Sequence, residues 1–223
     1  MATFYRGDTL HTLKTQFQNK TINLIYINPP FGTTRNVWDE KQDWPALFKQ
    51  FFRILKDDGM LVIHCSIPFN YELIRAARSA PSYSWYWNKK GVTCPLIANV
   101  QPLRCMEEIL VWKKKKNTYY RQQIGDEERT STYMTLNSYY GTDVKQKRTI
   151  IKGKTRTHLI EMSRDISGFS TRPAEMVKLM IDSYTKEGDT ILDCFCYQGL
   201  SYTQSEGRRW IGIDKHFIPS VLF

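Results

Sequence analysis

The run Ile22 to Ile27 (INLIYI) is almost wholly apolar and rich in β-branched residues, and it stops at Asn28-Pro29-Pro30-Phe31-Gly32. A strand without polar alternation is the pattern of one buried on both faces, as in a parallel sheet covered by helices. Pro29 and Pro30 have no N–H to offer a sheet ladder, so the chain must leave the sheet at Asn28. In open α/β sheets the carboxyl ends of strands are where ligands bind. This junction therefore predicts a fold class and a place within it to look for chemistry.

The rest of the chain repeats the alternation. Leu10, Leu13 and Phe17 predict a short amphipathic helix within residues 9–20. Trp44 to Leu55 reads as a helix with Leu47, Phe48, Phe51, Phe52 and Leu55 on one face and Pro45 in its first turn. Asp57-Asp58-Gly59 should end it, and Met60 to Cys65 reads as another buried strand. Residues 70–80 look helical, and Tyr83 to Trp87 and Glu108 to Trp112 read as strands. Beyond Arg172-Pro173 a helix carries Met176, Val177, Met180, Ile181 and Tyr184 on one stripe. Thr190 to Leu192 and Trp210 to Ile213 then read as strands, closed by Asp193 and Asp214. Strand and helix in this rhythm is an α/β architecture. With 223 residues, 41% of them hydrophobic, the chain is long and apolar enough for one domain, or a core plus a small insert, and is not a disordered segment.

Several classes are excluded. No apolar run approaches the ~18 residues of a membrane helix; the longest, Met60 to Phe69, is broken by His64, Ser66 and Pro68. The opening MATFYRGDTL lacks the pattern of a secretory signal. Five cysteines at irregular spacing are not a disulfide framework, and four histidines form no ligand pair, so a reducing, intracellular setting without metal is expected. The formal charge of +10 points to a polyanion. Its distribution is uneven: Lys113 to Arg156 holds 12 Lys or Arg against 4 acids, interleaved with five tyrosines. Such a segment is either a solvated loop or an insert whose cations meet phosphates while its tyrosines pack or stack.

Asn28-Pro29-Pro30-Phe31 has a definite chemical use. The exocyclic amino group of a base is a poor nucleophile because its lone pair is delocalised into the ring. A side-chain carbonyl from Asn28 and a backbone carbonyl from Pro29 can each accept one amino hydrogen, drawing the nitrogen toward a tetrahedral shape. Phe31 offers a face for an extruded base. A proline-rich turn after a strand would show the same four residues. At the other end, Asp193, a loop to Gly199 and Asp214 after the following strand form a nucleotide-type pattern, with the last acid suited to a ribose hydroxyl pair.

In this order the pieces resemble the S-adenosylmethionine-dependent DNA amino-methyltransferases of the permuted beta class. Gly7-Asp8, INLIYINPPFG, RILKDDGMLVIHCS, WYWNK, EEILVWK, FSTRP, GDTILDCF and RRWIGID are similar to successive elements of that family. The resemblance implies a Rossmann-like methyltransferase fold: a mostly parallel sheet with helices on both faces, in circularly permuted motif order. Residues 1–112 would be the catalytic half, 113–168 a basic target-recognition insert, and 169–223 the cofactor half. Asn28, Pro29, Pro30 and Phe31 would be the catalytic tetrapeptide. Asp193, Phe195 and Gly199 would line the methionine end of S-adenosylmethionine, with Ser170 and Arg172 nearby; Asp214 would hold the ribose and Asp8 would reach the adenine ring. Lys145, Lys147, Arg148, Lys152, Lys154 and Arg156 are the expected contacts to double-stranded DNA.

The implied activity is methylation of the adenine amino group after base flipping, at a short target, since about fifty residues remain to read it. Asn28 rather than Ser favours adenine over the cytosine amino group, which is the alternative enzyme. Attack on the cytosine ring is excluded, because that chemistry needs a Pro-Cys nucleophile and here Cys94 precedes Pro95. Where the family has D-P-F-x-G-x-G, this chain has Asp193-Cys194-Phe195-Cys196-Tyr197-Gln198-Gly199. Tyr197 in place of glycine would narrow the pocket or pack on the cofactor; if it blocked the cofactor, the chain would be a non-catalytic nucleic-acid-binding subunit. A homodimer and a cognate restriction endonuclease are the protein partners that the family suggests, and a prokaryotic or phage-infected cytoplasm is the expected location.

Overall fold

The computed structural model describes residues 2–93, 95–136, 144–165 and 172–216. They divide into two compact units, one of residues 1–120 and 158–223, the other of residues 121–157. The smaller unit lies within the basic stretch 113–168.

In the larger unit β1 (Ala2–Arg6), α1 (Thr9–Gln16), β2 (Ile22–Ile27), α2 (Trp44–Ile54), β3 (Leu55–Cys65), α3 (Phe69–Ala77), β4 (Tyr83–Thr93) and β5 (Arg104–Lys113) come first. After the smaller unit, which holds β6 (Gln123–Leu136) and β7 (Val144–Thr155), follow β8 (Leu159–Glu161), α4 (Ala174–Tyr184), β9 (Thr190–Asp193), α5 (Leu200–Thr203) and β10 (Arg209–Asp214). Eight strands form one sheet in the order β1-β10-β9-β2-β3-β5-β4-β8. Every pairing is parallel except the two that β5 makes, so β5 alone runs against the rest. The mostly parallel, doubly covered sheet is as the sequence implies.

β2 shows why. Leu24 and Tyr26 pack on one face with Met176, Val177 and Met180 of α4. Ile25 and Ile27 pack on the other with Leu13 of α1, Phe48 and Phe51 of α2, and Leu73 of α3. A strand clothed on both sides needs apolar residues on both faces, each contributing roughly 1.5–3 kcal/mol on full burial. Asp43 caps α2 by accepting the Ala46 N–H at 3.1 Å, and Pro45 sits in the first turn, where no N–H is required.

The helix ends at Ile54, and Asp57-Asp58-Gly59 lies inside β3 rather than in a turn, with the β2–β3 register shifting between Ile22 and Leu24. The strands that the sequence does not announce, β1 and β8, are the two edges of the sheet, where half-exposed short segments carry no continuous apolar run. β6 and β7 form a two-stranded antiparallel hairpin, from Gln123↔Thr155 to Leu136↔Val144, with an irregularity between Ile124 and Glu128. Dense charge there masks the alternation a strand would show. Among the described residues no helix is long and apolar enough to cross a membrane.

In β10 the Trp210 indole folds over Gly212, two residues along on the same face, and its Nε1 donates to Ser201 Oγ at 2.9 Å. A Cβ at residue 212 would strike the ring, which is buried and has nowhere to move. Gly212→Ala is expected to lower unfolding free energy by about 1–3 kcal/mol through overpacking, measured by urea denaturation. An unchanged midpoint would contradict that packing.

Candidate active site

The chain leaves β2 toward β3 on one side and leaves β9 toward β10 on the other, so the carboxyl ends of these neighbours face a gap. A cavity of about 520 Å³ occupies it. Four strand ends feed its wall: Asp8 after β1, Asn28 to Phe31 after β2, Asp193 closing β9, and Asp214 closing β10. Phe195 and Arg172 also line it. Most of the residues singled out from sequence are thus brought to one place.

Two buried carboxylates form the floor. Asp214 accepts the backbone N–H of Tyr197 at 2.7 Å and that of His216 at 2.6 Å. Asp193 accepts the Ser201 hydroxyl at 2.5 Å and the Phe195 N–H at 3.2 Å. Burial pushes the Asp193 carboxyl up to about 7, against the pull of those hydrogen bonds. It raises Asp214 too. Asp8 caps α1 through the His11 N–H at 2.7 Å, and its residue also lines the cavity.

Tyr197 adopts φ 42, the left-handed backbone for which glycine is the usual choice. The turn is held by its N–H on Asp214, and the residue lines the cavity, leaving the volume above open. Gly199 is not among the lining residues; with φ 76 it precedes α5, while Gln198 and Leu200 on either side do line the cavity. Ser170 lies outside the described residues.

Among the described residues the Asn28 side-chain amide has no hydrogen-bond partner, although it is half-buried in the cavity wall. Phe31 stacks on Phe69, with ring centroids 4.8 Å apart and planes 24° from parallel, and Phe69 in turn meets Trp44 edge-on. The loop after Phe31 is pinned by Asp39, which accepts N–H groups of Gly32, Thr33 and Thr34 at 2.8, 2.9 and 2.6 Å. These bonds outweigh burial and hold its carboxyl below the usual range.

A buried ionic cluster adjoins the cavity and was not legible in the sequence. Glu107 at the start of β5, only 6% exposed, pairs with Arg172 at 2.6 Å, His64 at 3.1 Å and Lys89 at 3.2 Å. Burial would raise its carboxyl, but Arg172, then His64 and Lys89, hold it well below the usual range. Burial lowers the pKa of His64, against the pull of Glu107, and its Nε2 bonds the hydroxyl of Tyr26, a cavity-lining residue, at 2.9 Å. The only sequence signals were a histidine inside the apolar run MLVIHC and an acid opening a buried strand.

The expected DNA contacts fall in the smaller unit. Lys145, Lys147, Arg148 and Lys152 stand on β7, and their side chains lie outside the described residues. Lys154 is exposed and Arg156 half-buried.

A family model for DNA methylases matches residues 22–217. Type II methyltransferase M.BamHI of Bacillus amyloliquefaciens is 24% identical over 230 residues, covering 94% of this chain and 53% of that protein. The chain therefore spans about half the length of that curated relative. Among solved structures, the cytosine-N4-specific PvuII DNA methyltransferase aligns with a TM-score of 0.67 at 15% identity, over 98% of this chain and 82% of the other. The M1.HpyAVI–SAM complex aligns with a TM-score of 0.63 at 18% identity, over 96% and 92%. These structural likenesses carry the fold. The family match takes in the Asn28 junction and both strands ending in buried carboxylates, and the chain belongs to the N6/N4 DNA methylase family.

Proposed function

We propose that the protein transfers a methyl group from S-adenosylmethionine to the exocyclic amino nitrogen of adenine in a short duplex DNA sequence. The observation that carries this reading is the Asn28 amide, without a partner among the described residues and held at the wall of a cavity that two buried carboxylates share. The cavity, about 520 Å³, is within the range of cofactor sites, and its donor set suits this group. Asp214 would take the ribose hydroxyls, Asp193 and Phe195 the methionine end, and Asp8 the adenine edge. Bound there, S-adenosylmethionine supplies an electrophilic methyl on a sulfonium sulfur.

The chain's own residues do the rest. Asn28 Oδ1 and the Pro29 carbonyl would accept the two amino hydrogens, localising the nitrogen lone pair toward the methyl carbon. Pro29 and Pro30 fix the direction of those acceptors, so little reorganisation accompanies the step. Phe31, backed by Phe69, presents its free face to the flipped base. Asn28 needs no charge for this, since a carbonyl acceptor suffices; the proton that the methylated nitrogen sheds would pass to solvent. Asn at this position, rather than Ser, supports adenine over cytosine. Residues 113–168 would read the target, their cations meeting phosphates.

Labelled cofactor incubated with unmethylated genomic DNA should yield N6-methyladenine on mass spectrometry of the digest; N4-methylcytosine would replace the adenine reading. Asn28→Ala is expected to abolish transfer while S-adenosylmethionine binding, measured by calorimetry, stays intact. Full turnover of that variant would remove Asn28 from the chemistry.

The raised Asp193 carboxyl gives a pH signature. Below about 7 it is protonated and must release its proton to face the cationic α-amino group of the cofactor. Affinity for S-adenosylmethionine should therefore rise with pH, by up to about tenfold per unit, and level off above that value. Asp193→Asn should show a flat profile; a parallel slope in both proteins would rule out this carboxyl as its source.

Neutralising Lys145, Lys147, Arg148, Lys152, Lys154 and Arg156 together should weaken DNA binding and reduce the slope of log K against log salt by about 0.9 for each phosphate that is no longer neutralised. An unchanged slope would move the DNA-binding surface elsewhere.

A further inference from the structure

β2, β3 and β4 run in the same direction, so the segments that follow them, and the start of β5, all lie at the cavity end of the sheet. Large apolar side chains are exposed there: Trp38, Ile67, Val92, Leu96, Val100 and Met106. Leu96 is the extreme, at 97% exposed, with Val100 at 82%. Leaving such side chains in water forgoes the free energy that burying them would release.

Val92, Leu96, Val100 and Met106 belong to one segment, the connection between β4 and β5 with its flanking strand ends. Thr93 pairs with Arg104 across its base, and Thr93 Oγ1 donates to the Arg104 carbonyl at 3.0 Å. Pro95 to Ile97 forms one tight helical turn at the tip, and Pro102 stiffens the return. Residues 89–106 hold no acidic residue; Lys89 is taken up by Glu107, and Lys90 and Arg104 are the stem's other cations. Arg164 adds a further cation by donating to the Val92 carbonyl at 3.3 Å. An apolar tip on a wholly basic stem complements a duplex, whose phosphates meet the cations and whose interior accepts the tip. Charge complementarity favours a duplex as the occupant.

The position is also suitable. β4 stands three places from β2 in the sheet. At about 4.8 Å per strand the stem lies about 14 Å from the Asn28 junction, close to the ~12 Å width of a major groove.

We propose that residues 89–93 and 95–106 form a wedge and that Leu96 enters the duplex in the space the flipped target base leaves. The inference rests on the methyltransferase reading. Leu96 would hold the extruded state by filling the vacated stack, while the cations of the stem fix the wedge on the backbone.

The test is Leu96→Ala, a change at a side chain that is almost wholly in solvent. Transfer of labelled methyl is measured on a short duplex bearing the target mapped on genomic DNA, and on the same duplex with an abasic site opposite the target base. The variant should lose about tenfold or more in kcat/KM on the matched duplex, because flipping costs a few kcal/mol there. On the abasic duplex, where the target is already unpaired, it should return to within about threefold of wild type. Equal rates of variant and wild type on the matched duplex would overturn the wedge. So would an equal loss on both duplexes, which, if sedimentation also showed dissociation, would make the tip an interface between copies. Absence of transfer by the wild-type protein on either duplex would overturn the methyltransferase reading and the wedge with it.

Discussion

Two neighbouring parallel strands whose chains depart in opposite directions leave a gap at their carboxyl ends, and here the pair is β2 and β9. The site depends on that gap. It sets the amide of Asn28 across from the carboxylates of Asp193 and Asp214, three polar groups that no single element could place together. It also explains why each must sit at the end of a strand buried on both faces: only there does a rigid backbone run straight from the core into a cavity.

The cluster around Glu107 is what makes the cavity wall a fixed surface. One carboxylate joins β3 through His64, β4 through Lys89 and the segment before α4 through Arg172. Removing one partner of such a buried set leaves charge uncompensated, at a typical cost of about 3–5 kcal/mol. The cluster is therefore a structural tie across four parts of the chain, with Tyr26 as its outlet to the cavity. Arg172, expected from sequence beside the cofactor, serves this tie and lines the cavity as well.

The central strands were legible because burial on both faces is written into composition: INLIYI, MLVIHC and ILVW have little else to be. The end of INLIYI pointed to Asn28, and the ends of the shorter runs TIL and WIGI to Asp193 and Asp214. The edge strands β1 and β8 left no such record, and the charges of β6 and β7 concealed the hairpin. The Glu107 pairs with His64 and Arg172 span 43 and 65 residues, and that with Lys89 joins two strands, so no local periodicity or spacing announces them. By residue type alone, Tyr197 is a side chain intruding on a glycine site. In the structure its backbone takes the glycine conformation and its N–H holds Asp214, so what matters there is a dihedral angle rather than a residue type.

The order of strands also has a bearing on when this site comes into being. β9 and β10, the last strands in the sequence, insert between β1 and β2, which stand near its beginning. Until residues 190–214 arrive, β1 has no neighbour and one side of β2 is bare. Such distant parallel pairings close late and slowly. Synthesis from the amino end thus delivers Asn28 long before the two carboxylates it will face. A chain stopped short of β9 lacks both carboxylates and the strand that faces Asn28 across the gap.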